Sequence, residues 1–124
     1  ASGELPYVNV FGKDYKTHDG SGVRDYIHIM DLVEGHLKAL THSTTGVSIF
    51  NLGTGRGYSV LDIIKTFETV TKILIPFKFV RRRSGDVDAV YADPAKAKLE
   101  LNFKTCCTLE QMCHDAWIFK SGNH

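Results

Sequence analysis

Between residues 47 and 80 the sequence changes its period twice. VSIFNL (47–52) is a nearly continuous apolar run of strand length. After the loop GTGRGY comes VLDIIKTFETVT, with Val60, Ile63, Ile64, Phe67 and Val70 at helical spacing. ILIPFKFV (73–80) returns to a β-prone run. A strand, an amphipathic helix and a strand in close succession must bury the helix stripe against a sheet, which is an α/β arrangement. Ser59 stands where an N-cap belongs. Pro76 lacks an N–H, which sends its strand to a sheet edge.

The flanks continue the alternation. YVNVF (7–11) reads as a strand, with Tyr7, Asn9 and Phe11 on one face and Val8 and Val10 on the other. GKDYKTHDGSG (12–22) has no apolar period and reads as a solvent loop with turns. VRDYIHI (23–29) is extended, and Asp31 then caps a helix with Glu34 at N3. Leu32, Val33, Leu37 and Leu40 share one face of that helix, with Gly35 a weak point. RRRSGDVDAVYA (81–92) reads as a charged loop. Asp93-Pro94 opens a short helix to Leu101, and Thr108 and Gln111 form a capping box for the last helix. That helix carries Leu109, Met112, Cys113, Ala116 and Trp117 on one side. No linker divides residues 1–124, so one unit is expected.

Composition removes several function classes. The 15 basic and 14 acidic side chains leave a net charge of +1, without the cationic excess that nucleic acid or a membrane surface requires. At 43% hydrophobic and 23% charged, the chain is too apolar for disorder. No apolar run nears the ~18 residues of a membrane span. The N-terminus has no secretory pattern. Three cysteines cannot all pair, so reduced thiols and a cytoplasmic location are expected. The histidines and cysteines show no ligand spacing for a metal.

Two motifs suit phosphate. Gly53-Thr54-Gly55-Arg56-Gly57 lies between a strand and a helix, where backbone amides can cradle a pyrophosphate. It is G-x-G-x-G rather than the full dinucleotide fingerprint, and a tight strand-to-helix turn is the favoured reading. Arg24 and the run Arg81-Arg82-Arg83 offer planar guanidinium forks to phosphate oxygens, and Asp86 follows as an acceptor for sugar hydroxyls. No nucleophile–base pair can be assembled from spacing.

Four strings decide between these readings: NVFGKDYKTHDGSGVRDYIHIMDL, FNLGTGRGYSVLDI, RRRSGD and LEQMCHDAWIF. In this order and spacing they resemble the C-terminal part of the UDP-glucose 4-epimerases, which are extended short-chain dehydrogenases/reductases. The resemblance runs from about Leu5 to Phe119. It implies an α/β substrate lobe, with short strands alternating with helices, from a two-lobed NAD-dependent isomerase. The chain holds neither Tyr-x-x-x-Lys nor a complete G-x-G-x-x-G. The N-terminal Rossmann lobe, with the NAD turn and the catalytic residues, is therefore expected to be absent from it. The strand 47–52 and the helix after Asp31 are expected to return to that lobe.

Carried over by position, the resemblance implies a UDP-sugar site of Asn9, Val10, Phe11, Arg24, Tyr26, Val60, Arg83 and Asp86. Asn9, Val10 and Phe11 would lie against uracil, partly through the strand backbone. Arg24 and Arg83 would hold the pyrophosphate, with Tyr26 near it and Val60 in the nucleotide pocket. Asp86 would accept the ribose hydroxyls. Arg81 replaces the family's usual proline, which leaves open which arginine engages. No catalytic, cofactor or metal residue is expected in this chain. The implied activity interconverts UDP-glucose and UDP-galactose through a 4-keto intermediate, and N-acetylated UDP-hexoses and a homodimer belong to the same expectation. The chain alone is expected to be inactive. The alternatives are a truncated, non-enzymatic UDP-sugar-binding or regulatory module, and another UDP-sugar-modifying member of the superfamily.

Overall fold

The computed structural model describes residues 1–42 and 45–122. Its elements are β1 (Val8–Phe11), β2 (Val23–Arg24), α1 (Ile29–Thr41), β3 (Tyr58–Ser59), α2 (Val60–Thr71), β4 (Phe77–Val80), β5 (Ala89–Val90), α3 (Ala95–Leu101) and α4 (Leu109–Ser121). Among the described residues β1 pairs in parallel with β4, Val8 opposite Phe77 and Phe11 opposite Val80. A second sheet has the order β3-β2-β5, with β2 antiparallel to β3 and parallel to β5.

Local signals set α2 and α4. Ser59 and Asp62 close a reciprocal capping box on α2, and Thr108 and Gln111 close another on α4. Lys72 ends α2 in the left-handed conformation, and its N–H reaches the Glu68 carbonyl. The α2 stripe packs Ile64 against Val10 and Ile75, with Val60, Leu61 and Phe67 around them. Phe67 meets Trp117 of α4 edge-on at 6.3 Å. A second cluster gathers Ala97, Leu101 and Phe103 with Ile27, Ala39, Phe50 and Leu52.

Four expectations are corrected. Helix α1 begins at Ile29, and its cap is His28, whose Nδ1 accepts the Met30 N–H at 3.1 Å. Asp31 lies buried in the first turn, where its carboxylate accepts the N–H groups of Cys106 and Cys107 at 3.0 Å each. Two distant amides thus claim the side chain that the local pattern assigned to the cap. VSIFNL forms no strand, because no described strand lies beside it; Val47 is 93% and Ile49 76% exposed. Loop 12–22 turns back on itself but is not solvated throughout: Tyr15 is 4% exposed and Ser21 fully buried. The charged loop contains β5, clipped to β2 through Val23 N–H to Asp88 O at 2.9 Å and Asp25 N–H to Val90 O at 3.1 Å. The extended run from Val23 is correspondingly paired only over Val23–Arg24.

Candidate functional site

A cavity of about 340 Å³ opens where β1, β2, the start of α2 and the β4–β5 loop meet. It is lined by Asn9, Phe11, Tyr15, Gly22, Arg24, Tyr26, Val60, Arg83 and Asp86. Seven of the eight residues picked out in the sequence thus share one wall. Val10 does not. It is 1% exposed and packs on Ile64 and Ile75, because strand alternation turns it inward when Asn9 and Phe11 face the cavity. Only the Val10 backbone remains for contact with a ligand.

Each charged group is held by its neighbours. Arg24 donates through one terminal nitrogen to the carbonyls of Val23 at 2.7 Å and Val87 at 3.1 Å, which fixes the guanidinium. Its other terminal nitrogen lies 3.6 Å from Asp86 Oδ1. Arg83 and Asp86 face each other across a turn closed by Asp86 N–H to Arg83 O at 3.4 Å. Gly85 has φ 84° there, which glycine adopts without a Cβ penalty. Arg83 Nε lies 3.6 Å from Asp86 Oδ2, and its guanidinium stacks 4.2 Å from the Phe11 ring centre. Both pairs are longer than charge-assisted hydrogen bonds, so the guanidinium forks have donors left for another anion. Burial pushes the Tyr26 phenol upward, with Arg24 opposing, so it stays neutral.

The three consecutive arginines divide their work. Arg83 lines the cavity. Arg82 donates from Nε to Asp14 Oδ1 at 2.8 Å and covers the Tyr15 ring at 3.8 Å. This bond holds the Asp14 carboxyl below the usual aspartate range. Arg81 lines a separate groove with Lys13 and Phe79.

The GTGRG loop proves to be filled from within. Asp25 Oδ1 accepts the Thr54 N–H and hydroxyl at 3.1 and 2.6 Å. Asp25 Oδ2 accepts the N–H groups of Gly55 and Ala92 at 2.9 and 3.2 Å. The amides that might have faced a pyrophosphate hold this carboxylate instead. A Cβ at Gly53 would lie 2.6 Å from both Asp25 Oδ2 and the Ala92 Cβ. The glycine thus serves close packing, and the turn does not fit NAD.

Among the described residues, one group of metal-ligating type also comes together. His18, Asp19 and Asp62 bring donor atoms within 4.8 Å of one another. Their carboxylates already have partners. Asp19 accepts from Ser21 and from the Ser59 hydroxyl, and Asp62 accepts the Ser59 N–H. Burial pushes the Asp19 carboxyl up, and these bonds outweigh it, leaving it below the usual range. The group fastens the loop to the start of α2.

The sequence reading missed Tyr15 and Gly22. Tyr15 had a signal, as the one aromatic side chain in an otherwise polar loop. Gly22 had none, since its position depends on its carbonyl accepting the Val60 N–H at 3.1 Å. The cavity offers two cations, one carboxylate, two phenols and an aromatic face. That set has the chemistry to suit an anion joined to a planar ring and polar hydroxyls. It contains no nucleophile paired with a base.

Comparison with known proteins places the chain in a family. A family model described as GDP-mannose 4,6 dehydratase matches residues 3–116. UDP-glucose 4-epimerase of Pasteurella multocida is 55% identical over 125 residues, covering 99% of this chain and 37% of that protein. A crystal structure of UDP-glucose 4-epimerase from Bifidobacterium longum with NAD+ and UDP superposes with a TM-score of 0.93 at 46% identity, over 98% of this chain and 36% of that one. The Stenotrophomonas maltophila UDP-glucose-4-epimerase, with NAD and formylated UDP-arabinopyranose, gives 0.91 at 45% identity, over 95% and 36%. The chain spans little more than a third of the length of these relatives. No described helix is long and apolar enough to cross a membrane. The chain belongs to the GDP-mannose 4,6 dehydratase family of extended short-chain dehydrogenases/reductases, in which it is the counterpart of the C-terminal part of UDP-glucose 4-epimerases.

Proposed function

We propose that this chain is the UDP-sugar-binding part of an NAD-dependent UDP-glucose 4-epimerase, and that the redox machinery lies in an N-terminal lobe of the kind its longer relatives carry. The observation that carries this is the convergence of Arg24, Arg83 and Asp86 with Asn9 and Phe11 on one cavity. Asn9 and Phe11 take the uracil, with the Val10 backbone beside them. The two guanidinium groups take the pyrophosphate, Tyr26 stands beside it, and Val60 closes the pocket. Asp86 accepts ribose hydroxyls. Holding the nucleotide tightly leaves the hexose free to turn, so remote binding energy retains the reactant without gripping the reacting carbon. The GTGRG turn is filled by Asp25, which supports placing NAD outside this chain. A reducing, cytoplasmic setting belongs to the same reading, since three cysteines, two of them adjacent, cannot all pair.

The test joins residues 1–124 to the N-terminal part of the Pasteurella multocida relative. The expected result is sustained conversion of UDP-glucose to UDP-galactose by the chimera and none by residues 1–124 alone. Arg83→Ala in the chimera is expected to weaken UDP binding by about 1.5–3 kcal/mol, or about 10- to 150-fold. Arg81→Ala is the control and should change little. An Arg83→Ala chimera with unchanged UDP affinity would reject the arginine clamp.

A further inference from the structure

Tyr15 is more tightly enclosed than a loop side chain needs to be. It is 4% exposed, within a polar segment between two strands. One side of its ring lies against Gly12, where a Cβ would come 2.5 Å from Tyr15 Cε2. Gly12 has φ 83°, so both space and backbone require glycine there. The Arg82 guanidinium covers the ring at 3.8 Å, and Asp14 holds Arg82 in turn through Nε at 2.8 Å. The Tyr15 N–H is bonded to Gly20 O at 3.1 Å. Ring and backbone are both fixed, and the hydroxyl is aimed at Asp86 Oδ2 at 3.4 Å.

Asp86 has three partners in the cavity: Arg24 at 3.6 Å, Arg83 at 3.6 Å and Tyr15. A diphosphate entering the cavity competes with Asp86 for both guanidinium groups. Of the three partners, Tyr15 alone is held from turning toward phosphate, since its ring is clamped between Gly12 and Arg82. A carboxylate has about four acceptor sites, so one bond from Tyr15 leaves others for hydroxyls.

We infer that Tyr15 is a positioning residue that keeps Asp86 aimed at the ribose hydroxyls once the arginines have turned to the diphosphate. This rests on the reading of Asp86 under the proposed function. Tyr15 acts through Asp86 and need not touch the ligand.

The experiment is calorimetric titration of the full chain, alone and joined to the Pasteurella multocida N-terminal part, with UDP and with 2′,3′-dideoxy-UDP. Tyr15→Phe removes only the hydroxyl and keeps the buried ring. It is expected to weaken UDP binding by about three- to tenfold and to leave the dideoxy analogue unchanged. In an Asp86→Asn background the same substitution should have no further effect on UDP. Equal weakening for both ligands, or none for either, would overturn the inference, because a residue that merely supports the fold cannot sense the ribose hydroxyls. Wild-type protein that binds UDP and its dideoxy analogue equally well would instead remove Asp86 from the ribose, and with it the reading on which Tyr15's role depends.

Discussion

Helices α1 and α2 carry apolar residues at the same spacing, yet their circumstances are opposite. In α2, Ile64 is buried, Val60, Leu61 and Phe67 pack around the Val10–Ile75 cluster, and Phe67 touches α4. In α1, Ile29, Met30, Val33, Leu37 and Leu40 are all exposed, Leu40 by 82%. The residues α1 buries are Asp31 and Gly35. Asp31 ties the helix to the segment before α4, and Gly35 lets it approach Leu52 and Phe103. Helix α1 is thus apolar on two sides and covered on one. Val47 and Ile49 of the following segment are exposed as well. An amphipathic period says that a face is to be buried, but not that the covering residues lie in the same chain. The proposed nucleotide cavity sits on the α2 side, where packing is satisfied internally. The α1 side is where we propose that the cofactor lobe docks.

The largest test of this contrast falls on the covered side of α1. Phe103 is 2% exposed at the centre of the second cluster. Phe103→Ala is expected to destabilise the chain by about 3–5 kcal/mol, measured by urea unfolding. A loss below about 1 kcal/mol would mean that α1 is not anchored on either side, and the contrast would vanish.

A smaller effect tests the α2 side, in the loop that precedes the helix. Gly53→Ala places a methyl group 2.6 Å from Asp25 Oδ2 and the Ala92 Cβ. Neither neighbour can retreat easily, since Asp25 holds Thr54, Gly55 and Ala92 through four hydrogen bonds. The expected cost is about 1–3 kcal/mol, read as a lower thermal midpoint. An unchanged midpoint would show slack in a loop that the structure depicts as filled.

What the sequence could reveal follows the same division. The Ser59 cap and the Thr108–Gln111 box were legible because their partners lie within one helical turn. The alternation of Asn9, Val10 and Phe11 was legible because the period of a strand fixes it. Asp31 was misplaced because its partners lie 75 and 76 residues away. VSIFNL had the composition of a strand, but a strand exists only beside another strand. Within the site, Arg24, the run Arg81-Arg82-Arg83 and Asp86 were legible as phosphate and hydroxyl ligands by their chemistry. Only the resemblance to a family singled out Arg83 and joined them in one site, since periodicity cannot bring residues 24 and 83 together. Tyr15 escaped because its burial depends on Arg82, Asp14 and Gly12, of which only Gly12 and Asp14 are near in sequence.

The smallest expected effect is the sharpest test of the contrast. Leu40 is a large apolar residue on an apolar stripe, and periodicity alone would rank it with Ile64. Because it is 82% exposed, Leu40→Ser should change the stability of residues 1–124 by no more than about 0.5 kcal/mol. In the chimera with a cofactor lobe, the same substitution should cost about 1.5–3 kcal/mol, the value of burying a leucine side chain. The difference between the two backgrounds measures what covers the stripe. Equal small effects in both would mean that the lobe docks elsewhere, and the apolar face of α1 would need another explanation. A large effect in residues 1–124 alone would mean that the stripe is already covered, by self-association or by a rearranged helix. Sedimentation at two concentrations separates these last cases, since only self-association depends on concentration.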